Sequence, residues 1–263
     1  MVVCGDSMEL NRDYESAAIY KWRKKRKKAF VLFICIVGIC FLVTRMVRVE
    51  DKTTVKVHNM HTEQNEKAIR YVASNMIKED PKIAITFDDG PSPAWTPQLL
   101  DGLKERNVKA TFFLIGENAK NNPELVKREA EEGHLIGNHT YHHVEITRVP
   151  DETAQEEILM TNEVITGITG EEVSYMRPPF GVWQKNLERK LDVMPVLWTI
   201  DPLDWTTDDE DEIINKVVTQ AGENDIILLH DCYESSVNAA LRIVDILQKE
   251  GFEFVTVDEL IMN

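Results

Sequence analysis

The chain has 263 residues, with 30 basic and 45 acidic side chains and a formal net charge of −15. This length holds one catalytic-size domain and an appendage, and it argues against two large domains. The acidic balance argues against nucleic acid or an anionic lipid surface as the partner of the folded part, whereas a neutral sugar polymer is compatible with it.

The N-terminal region predicts a membrane anchor. Residues 21–28 contain seven Lys or Arg, and the next 16 residues, 29–44, carry no charge. A helix of that length spans about 24 Å, less than the roughly 30 Å hydrocarbon core, but the residues up to position 48 can extend it. We therefore predict a cytoplasmic segment over 1–28 and a transmembrane helix over 29–48, with the basic flank on the cytoplasmic side.

A cleaved signal peptide is the alternative to this anchor. A signal peptide usually has an apolar region of about 7–15 residues and a small-x-small cleavage site. The segment at 40–49, CFLVTRMVRV, has no such site, which favours an uncleaved helix and an extracytoplasmic location for the rest of the chain. Residues 1–44 hold 8 basic and 4 acidic side chains, so residues 45–263 hold 22 and 41, a net charge of −19.

A polar stalk is predicted between the anchor and the folded domain. Residues 49–80 contain many charges and few large apolar side chains, so a disordered linker and a helix near 66–76 are both compatible with them. The folded domain is predicted over 81–263. Its one cysteine is Cys232, so it cannot contain an internal disulfide.

Within the folded domain, predicted strands alternate with predicted helices. Short runs of apolar, β-branched and aromatic residues predict buried strands at 83–87, 110–115, 173–176, 193–200, 226–229 and 252–257. Apolar residues at a spacing of three to four predict helices at 97–106, 123–132, 151–166, 209–221 and 235–249. This alternation predicts a parallel sheet, either open and doubly wound or closed as a barrel.

Polar residues that suit catalysis follow the predicted strands at their carboxyl ends. These residues are Asp88, Asp89, His139, Arg177, Asp201 and His230. A barrel collects all such ends at one mouth, whereas an open sheet gathers only those near its switch point. We therefore predict a distorted (β/α) barrel.

Two adjacent carboxylates, Asp88 and Asp89, end the first predicted strand. Neighbouring side chains at a strand end point in different directions, so one carboxylate can bind a metal while the other acts as a base. Asp-Asp-Gly is also ordinary turn chemistry, and a plain polar turn is the alternative.

Three of the seven histidines lie in the segment HTYHH at 139–143. His139 and His143, at i and i+4, would meet on one face of a helical turn and could bind one cation; His139 and His142, at i and i+3, are the alternative pair. Asp89 is a candidate third ligand. Such a three-residue set leaves coordination positions for water and substrate, as a catalytic metal site requires.

Five segments in this order resemble the five motifs of the NodB-homology polysaccharide deacetylases, carbohydrate esterase family 4. They are TFDDG at 86–90, HTYHH at 139–143, RPPFG at 177–181, DPLDW at 201–205 and LLHD at 228–231. The resemblance covers about residues 81–257 and implies a distorted (β/α) barrel of about seven strands. Each motif is weak alone, whereas the ordered set is specific.

The resemblance implies the roles of the metal-site residues. Asp88 corresponds to the catalytic base of the family, and Asp89, His139 and His143 correspond to its metal ligands. His142 then falls at a variable position and is a bystander. The ligand set suits Zn²⁺, with Co²⁺ and Mn²⁺ as alternatives.

The resemblance also implies a general acid and two positioning residues. Arg177 corresponds to the arginine that orients the base, and His230 corresponds to the general acid. An aspartate of the fourth motif tunes that histidine, and Asp204 is favoured over Asp201 for this partner.

Three further residues are predicted to form the substrate groove. The resemblance implies that Pro179 shapes the groove wall and that the backbone N–H of Phe180 helps to hold the oxyanion. Trp205 is a candidate for stacking on a sugar ring. Trp183 is a weaker groove candidate, and Trp198 is assigned to the core because it lies inside a predicted strand.

The function implied is metal-dependent removal of N-acetyl groups from an extracytoplasmic amino-sugar polymer, with release of acetate. Peptidoglycan N-acetylglucosamine is the first choice of substrate, and a chitin-like oligosaccharide is the second. The alternatives are a non-catalytic glycan-binding protein and a hydrolase of another amide or O-acetyl ester on the same fold. No protein partner is indicated.

Overall fold

The computed structural model describes residues 80–184, 187 and 191–262. The predicted cytoplasmic segment, the transmembrane helix and the stalk up to residue 79 lie outside these residues. Among the helices of the described part, none has both the length and the apolar character needed to cross a membrane.

Seven strands form one parallel sheet in the described part of the chain. They are β1 (Lys82–Asp88), β2 (Thr111–Leu114), β3 (Leu135–Asn138), β4 (Tyr175–Met176), β5 (Met194–Pro195), β6 (Ile226–His230) and β7 (Glu253–Phe254). Their order is β5-β4-β3-β2-β1-β6, and β7 pairs with the first residues of β1. Strand β1 is therefore paired on both sides, and its carboxyl end lies between those of β2 and β6.

The helices follow the strands along the chain. They are α1 (Thr96–Glu105), α2 (Gly116–Asn121), α3 (Pro123–Glu131), α4 (Asp151–Thr169), α5 (Glu210–Val218), α6 (Glu234–Lys249) and α7 (Val257–Met262). All five predicted helices are present, and each begins within one residue of its predicted start. Local signals explain this agreement: Asp209 accepts hydrogen bonds from two N–H groups of the first turn of α5, and Gly170, with φ 78°, ends α4.

Alternate residues of β1 face two different environments, as the period of a strand requires. Ile83, Ile85 and Phe87 are fully buried in the main hydrophobic cluster, which also contains residues of α1 and α6. Ala84 belongs to a second cluster with Phe113, on the other face of the strand. The same alternation places the side chain of Asp88 on the face of Ala84.

The sheet is curled, and the segment that contains β5 contacts strands from both ends of its order. Val196 N–H donates to the carbonyl of Met176 in β4, and four residues later Ile200 pairs with Ile227 of β6. The predicted strand at 193–200 is therefore reduced to the two residues of β5, because the chain leaves one partner strand before it meets the other. The predicted parallel α/β class is confirmed, and the curled sheet with its helices is consistent with a (β/α) barrel.

Candidate active site

The two adjacent carboxylates at the end of β1 point in different directions. Asp88 is the last residue of the strand and is buried. Asp89 has a φ of 71°, in the left-handed region that non-glycine residues rarely adopt, and its backbone carbonyl accepts a hydrogen bond of 2.8 Å from Asn118 Nδ2. This sharp turn separates the second carboxylate from the first.

Asp89, His139 and His143 present three atoms to one point. Asp89 Oδ1 lies 3.3 Å from His139 Nε2 and 3.3 Å from His143 Nε2, and the three ligand atoms all lie within 4.8 Å of one another. Donors held about 2.0–2.1 Å from one tetrahedral Zn²⁺ are themselves about 3.3 Å apart. Asp89 Oδ1 is also buried without a hydrogen-bond partner. The three residues therefore fit a divalent cation.

The orientation of His139 suits metal binding as well. Its Nδ1 lies 2.7 Å from the backbone carbonyl of Arg177, which can only accept a hydrogen bond. Nδ1 therefore carries a proton and donates it to that carbonyl, so in the neutral imidazole Nε2 is the nitrogen with the lone pair, and it faces Asp89 and His143.

The two histidines meet for a different reason from the one predicted. The centroids of the His139 and His143 rings are 5.0 Å apart, but the segment between them is not helical. Thr140 has a φ of 60° and His143 a φ of 56°, so two left-handed residues fold the loop. The predicted helical turn is wrong, whereas the predicted pairing of His139 with His143 agrees with the structure. The His142 ring binds Glu157 instead.

Arg177 is fully buried beside Asp88. Its Nη1 donates to Asp88 Oδ1 at 2.8 Å and to Thr86 Oγ1 at 2.6 Å, and its Nε donates to the Val196 carbonyl at 3.2 Å. The guanidinium carbon lies 4.3 Å from the centroid of the Phe113 ring. Burial lowers the pKa of Arg177, while the charge of Asp88 opposes that effect, and an arginine stays cationic in a protein. Arg177 is thus a fixed positive partner for Asp88.

His230 is held by Asp204. Asp204 Oδ1 lies 2.8 Å from His230 Nδ1, and Asp204 Oδ2 accepts a hydrogen bond of 2.8 Å from the His230 backbone N–H. Burial alone would lower the pKa of His230, but the charge and the hydrogen bond of Asp204 raise it to about 10. Asp201, the other candidate partner, instead accepts a hydrogen bond from the Leu203 N–H.

Comparisons with known proteins agree with these motifs. The profile described as polysaccharide deacetylase matches residues 75–196. A peptidoglycan-N-acetylglucosamine deacetylase of Bacillus cereus is 39% identical over 186 residues, which cover 68% of this chain and 68% of that protein. This chain belongs to the polysaccharide deacetylase family.

Two further relatives show the extent of the likeness. The peptidoglycan-N-acetylglucosamine deacetylase PgdA of Listeria monocytogenes is 37% identical over 216 residues. That match covers 80% of this chain but 46% of the Listeria protein, so the chain spans about half the length of this relative. The solved structure of the peptidoglycan deacetylase PdaC from Bacillus subtilis has a TM-score of 0.67 and 38% identity, over 69% of this chain and 90% of that one.

The predicted groove residues of this family member lie near the catalytic candidates. Phe180 is 47% exposed, has a φ of 60°, and its ring centroid lies 4.9 Å from that of His143. Pro179 is buried at the start of the same tight turn, and Trp205 is half-buried next to Asp204. Trp183 packs against a hydrophobic cluster that contains Ile146, which weakens its case as a groove residue.

The charges around the ligand set act on one another. Burial alone would raise the pKa of Asp89, but the adjacent imidazole of His139 and the charges of the nearby histidines hold that pKa below its usual range. Burial and the charge of His139 lower the pKa of His143 to about 4. His143 is therefore neutral at pH 7, which is the form that binds a metal.

Sequence reasoning missed several residues that shape the site. Thr86 lies two residues before Asp88 on the same face of β1 and binds Arg177, and this period-two relation is a signal that the sequence does contain. Asp231 is fully buried and accepts a hydrogen bond from the Thr96 hydroxyl; burial raises its pKa to about 7. Glu157 binds the loop between the two histidine ligands, and no motif includes it.

Proposed function

We propose that this chain is a metal-dependent N-deacetylase of an extracytoplasmic amino-sugar polymer. One observation carries the proposal: Asp88 and His230 are register partners at the ends of the adjacent strands β1 and β6. Arg177 binds the first and Asp204 binds the second, and the three-residue ligand set lies beside them. A base and an acid on either side of one reaction centre suit hydrolysis of an amide.

The residues of the chain divide the reaction between them. A divalent cation held by Asp89, His139 and His143, with Zn²⁺ proposed first and Co²⁺ or Mn²⁺ as alternatives, would polarise the amide carbonyl and lower the pKa of a water. Asp88 accepts the proton of the attacking water, and Arg177 keeps this carboxylate oriented by a charge-assisted hydrogen bond. The backbone N–H of Phe180 stabilises the oxyanion.

His230 completes the hydrolysis. As the bond between the acyl carbon and the sugar nitrogen breaks, His230 donates a proton to that nitrogen, and the products are acetate and a free amine. The raised pKa of His230 supplies this proton at neutral pH. Asp204, bonded to both the ring and the backbone of His230, fixes the direction in which the ring faces.

We propose peptidoglycan N-acetylglucosamine as the substrate, with a chitin-like oligosaccharide as the second choice. The names of the Bacillus and Listeria relatives support this preference, although the chain spans only about half of the latter. The basic flank at 21–28 and the apolar segment at 29–44 support an anchor over 29–48 that leaves the catalytic domain outside the membrane.

Acetate release is the experiment that tests the proposal. We expect the purified full-length chain to release acetate from N-acetylated glycan strands, to lose this activity on chelation and to regain it with Zn²⁺, Co²⁺ or Mn²⁺. We expect Asp88→Asn to lower the rate by about 10²–10⁴-fold, the usual contribution of a general base. Undiminished release after chelation, or from Asp88→Asn, contradicts the mechanism.

A substrate panel separates the remaining alternatives. It contains peptidoglycan strands, chitin oligomers and an O-acetylated xylan. Release from peptidoglycan at the highest kcat/KM supports the proposed substrate, and preference for the ester overturns it. Binding of glycan without release of acetate indicates a non-catalytic glycan-binding protein.

A further inference from the structure

The loop that supplies the two histidine ligands is held in an unfavourable conformation. Thr140 and His143 both have positive φ angles, although neither is a glycine. Such conformations persist only where the surrounding structure determines them. The position of His143 therefore depends on contacts that hold the residues between the two left-handed positions.

Glu157 supplies these contacts from helix α4. Its Oε2 accepts hydrogen bonds from the backbone N–H groups of Tyr141 at 3.0 Å and of His142 at 2.8 Å. Its Oε1 lies 2.8 Å from His142 Nδ1, which donates to it. Glu157 is buried, so these three donors replace the water that its carboxylate would otherwise bind.

The opposite side of the loop is bound by the start of α2. The N–H groups of Gly116 and Glu117 donate to the carbonyls of Thr140 and Tyr141 at 3.0 Å each. Thr140 N–H donates to Asn138 Oδ1. Glu157 is thus the acceptor for the two central N–H groups, and those groups lose their protein partner without it.

We propose that Glu157 is a positioning residue for the metal site: its carboxylate fixes the backbone at Tyr141 and His142, and thereby the place of His143 Nε2 beside Asp89. The inference rests on the proposed function, because it concerns the cation of that same site. It also gives His142 a role as the partner of Glu157, in place of the bystander predicted from the sequence.

A pair of substitutions of similar volume tests the inference. Glu157→Gln keeps a carbonyl oxygen that can accept both N–H groups, whereas Glu157→Met fills the same space without an acceptor. Glu156 is the matched control, because it is the exposed neighbour of Glu157 on the same helix. The readout is the affinity of the metal-free full-length chain for Zn²⁺, measured by competition with a chelating dye, together with the thermal midpoint.

We expect Glu157→Met to weaken Zn²⁺ binding by about 10–100-fold, the range seen when groups that orient a metal ligand from outside the coordination shell are removed, because Glu157 orients His143 through the backbone of Tyr141 and His142. Glu157→Gln and Glu156→Met should bind Zn²⁺ like the unmodified chain. Equal affinity in Glu157→Met and the unmodified chain overturns the inference, even if the thermal midpoint falls, because the residue then serves stability alone. An equal loss of Zn²⁺ affinity in Glu157→Gln and Glu157→Met also overturns the inference.

Two further outcomes are informative. Absence of Zn²⁺ binding by the unmodified chain overturns the proposed function and this inference together, whereas the preceding results overturn this inference alone. If Glu157→Met does not fold, amide hydrogen exchange of the unmodified metal-free chain replaces it. Protection of the Tyr141 and His142 amides supports the inference, and exchange as fast as in an exposed loop contradicts it.

Discussion

The carboxylate of Asp204 bonds both the ring and the backbone of His230, at 2.8 Å in each case. One oxygen faces Nδ1, and the other accepts the N–H of the same residue. The ring therefore cannot rotate without losing a charge-assisted hydrogen bond. Its other nitrogen is left to face the site, and the charge of Asp204 keeps the imidazole protonated.

The first prediction concerns the protonation of His230. Asp204→Asn removes the charge that raises the pKa of His230 to about 10, so we expect this histidine to lose its proton at a much lower pH. NMR titration of the histidine ring protons in the metal-free chain measures both values. With the proton donor weakened at neutral pH, kcat should fall about 10²-fold or more. An unchanged titration in Asp204→Asn would contradict the ion pair.

The second prediction is a dependence of stability on pH. The pKa of His230 is about 10 in the folded state, above the ordinary histidine value of 6.5, because of the charge of Asp204. Its contribution to stability is therefore complete below pH 6.5 and is lost as the pH rises towards 10. Urea unfolding of the metal-free chain and of Asp204→Asn at pH 6.5 and 9.5 measures the difference between their free energies of unfolding. This difference should be smaller at pH 9.5 than at pH 6.5. A difference that is constant with pH contradicts the linkage.

The third prediction separates the role of the Arg177 side chain from that of its backbone carbonyl. Arg177→Lys loses the fork of donors that binds Asp88, Thr86 and the Val196 carbonyl, and we expect kcat to fall by about 10²-fold, the lower end of a general-base contribution. Zn²⁺ affinity should change little, because His139 is bonded to the backbone carbonyl. Arg148→Lys is the control, since the Arg148 side chain is 70% exposed. Equal kcat values for Arg177→Lys and Arg148→Lys contradict the prediction.

The fourth prediction distinguishes the neighbouring carboxylates by thermal stability. A cation that binds only the folded chain stabilises it by about 2.7 kcal/mol at 100 times its Kd. Zn²⁺ should therefore raise the Tm of the unmodified chain and of Asp88→Asn, but not that of Asp89→Ala. Calorimetry with and without Zn²⁺ measures the difference. A rise of similar size in Asp89→Ala means that the cation binds elsewhere.

The fifth prediction compares two glycines. Gly181 has a φ of +70°, and a Cβ there would lie 2.9 Å from the ring of Trp198, whereas a Cβ at Gly167 has nothing within 4 Å. We expect Gly181→Ala to lower the free energy of unfolding by about 1–3 kcal/mol. Gly167→Ala, in the interior of α4, should raise it by about 0.5–1 kcal/mol. Urea unfolding midpoints of the two variants measure these changes. Equal changes in stability for Gly181→Ala and Gly167→Ala contradict the argument from backbone strain.

Much of the site was predictable because its residues follow strands. Asp88 and His230 lie at the ends of short apolar runs that predict buried strands, and parallel pairing brings such ends together. The helices were predictable from their local signals, such as the cap at Asp209 and the stop at Gly170. These features depend on neighbours in the sequence.

The remainder depends on partners that are distant in the sequence. The loop from His139 to His143 contains no glycine, so the sequence gives no signal for its two left-handed residues. The conformation of the loop is held by Glu157 and by the start of α2. The partner of Asp88 is Arg177, which directly follows β4 and lies 89 positions further along the chain. Spacing left His142 and His143 as alternative partners of His139, and the family resemblance favoured His143. The helical turn predicted from the spacing was wrong.

Arg177 serves the two halves of the site with different atoms. The carbonyl that orients His139 belongs to every amino acid, whereas the guanidinium that binds Asp88 belongs to arginine alone. A variant in which only Arg177 is replaced would keep the backbone carbonyl that orients His139, and it would lose the guanidinium that binds Asp88. A change of this one side chain would therefore separate the binding of a cation from the proposed hydrolysis, because the carbonyl would remain and the guanidinium would not.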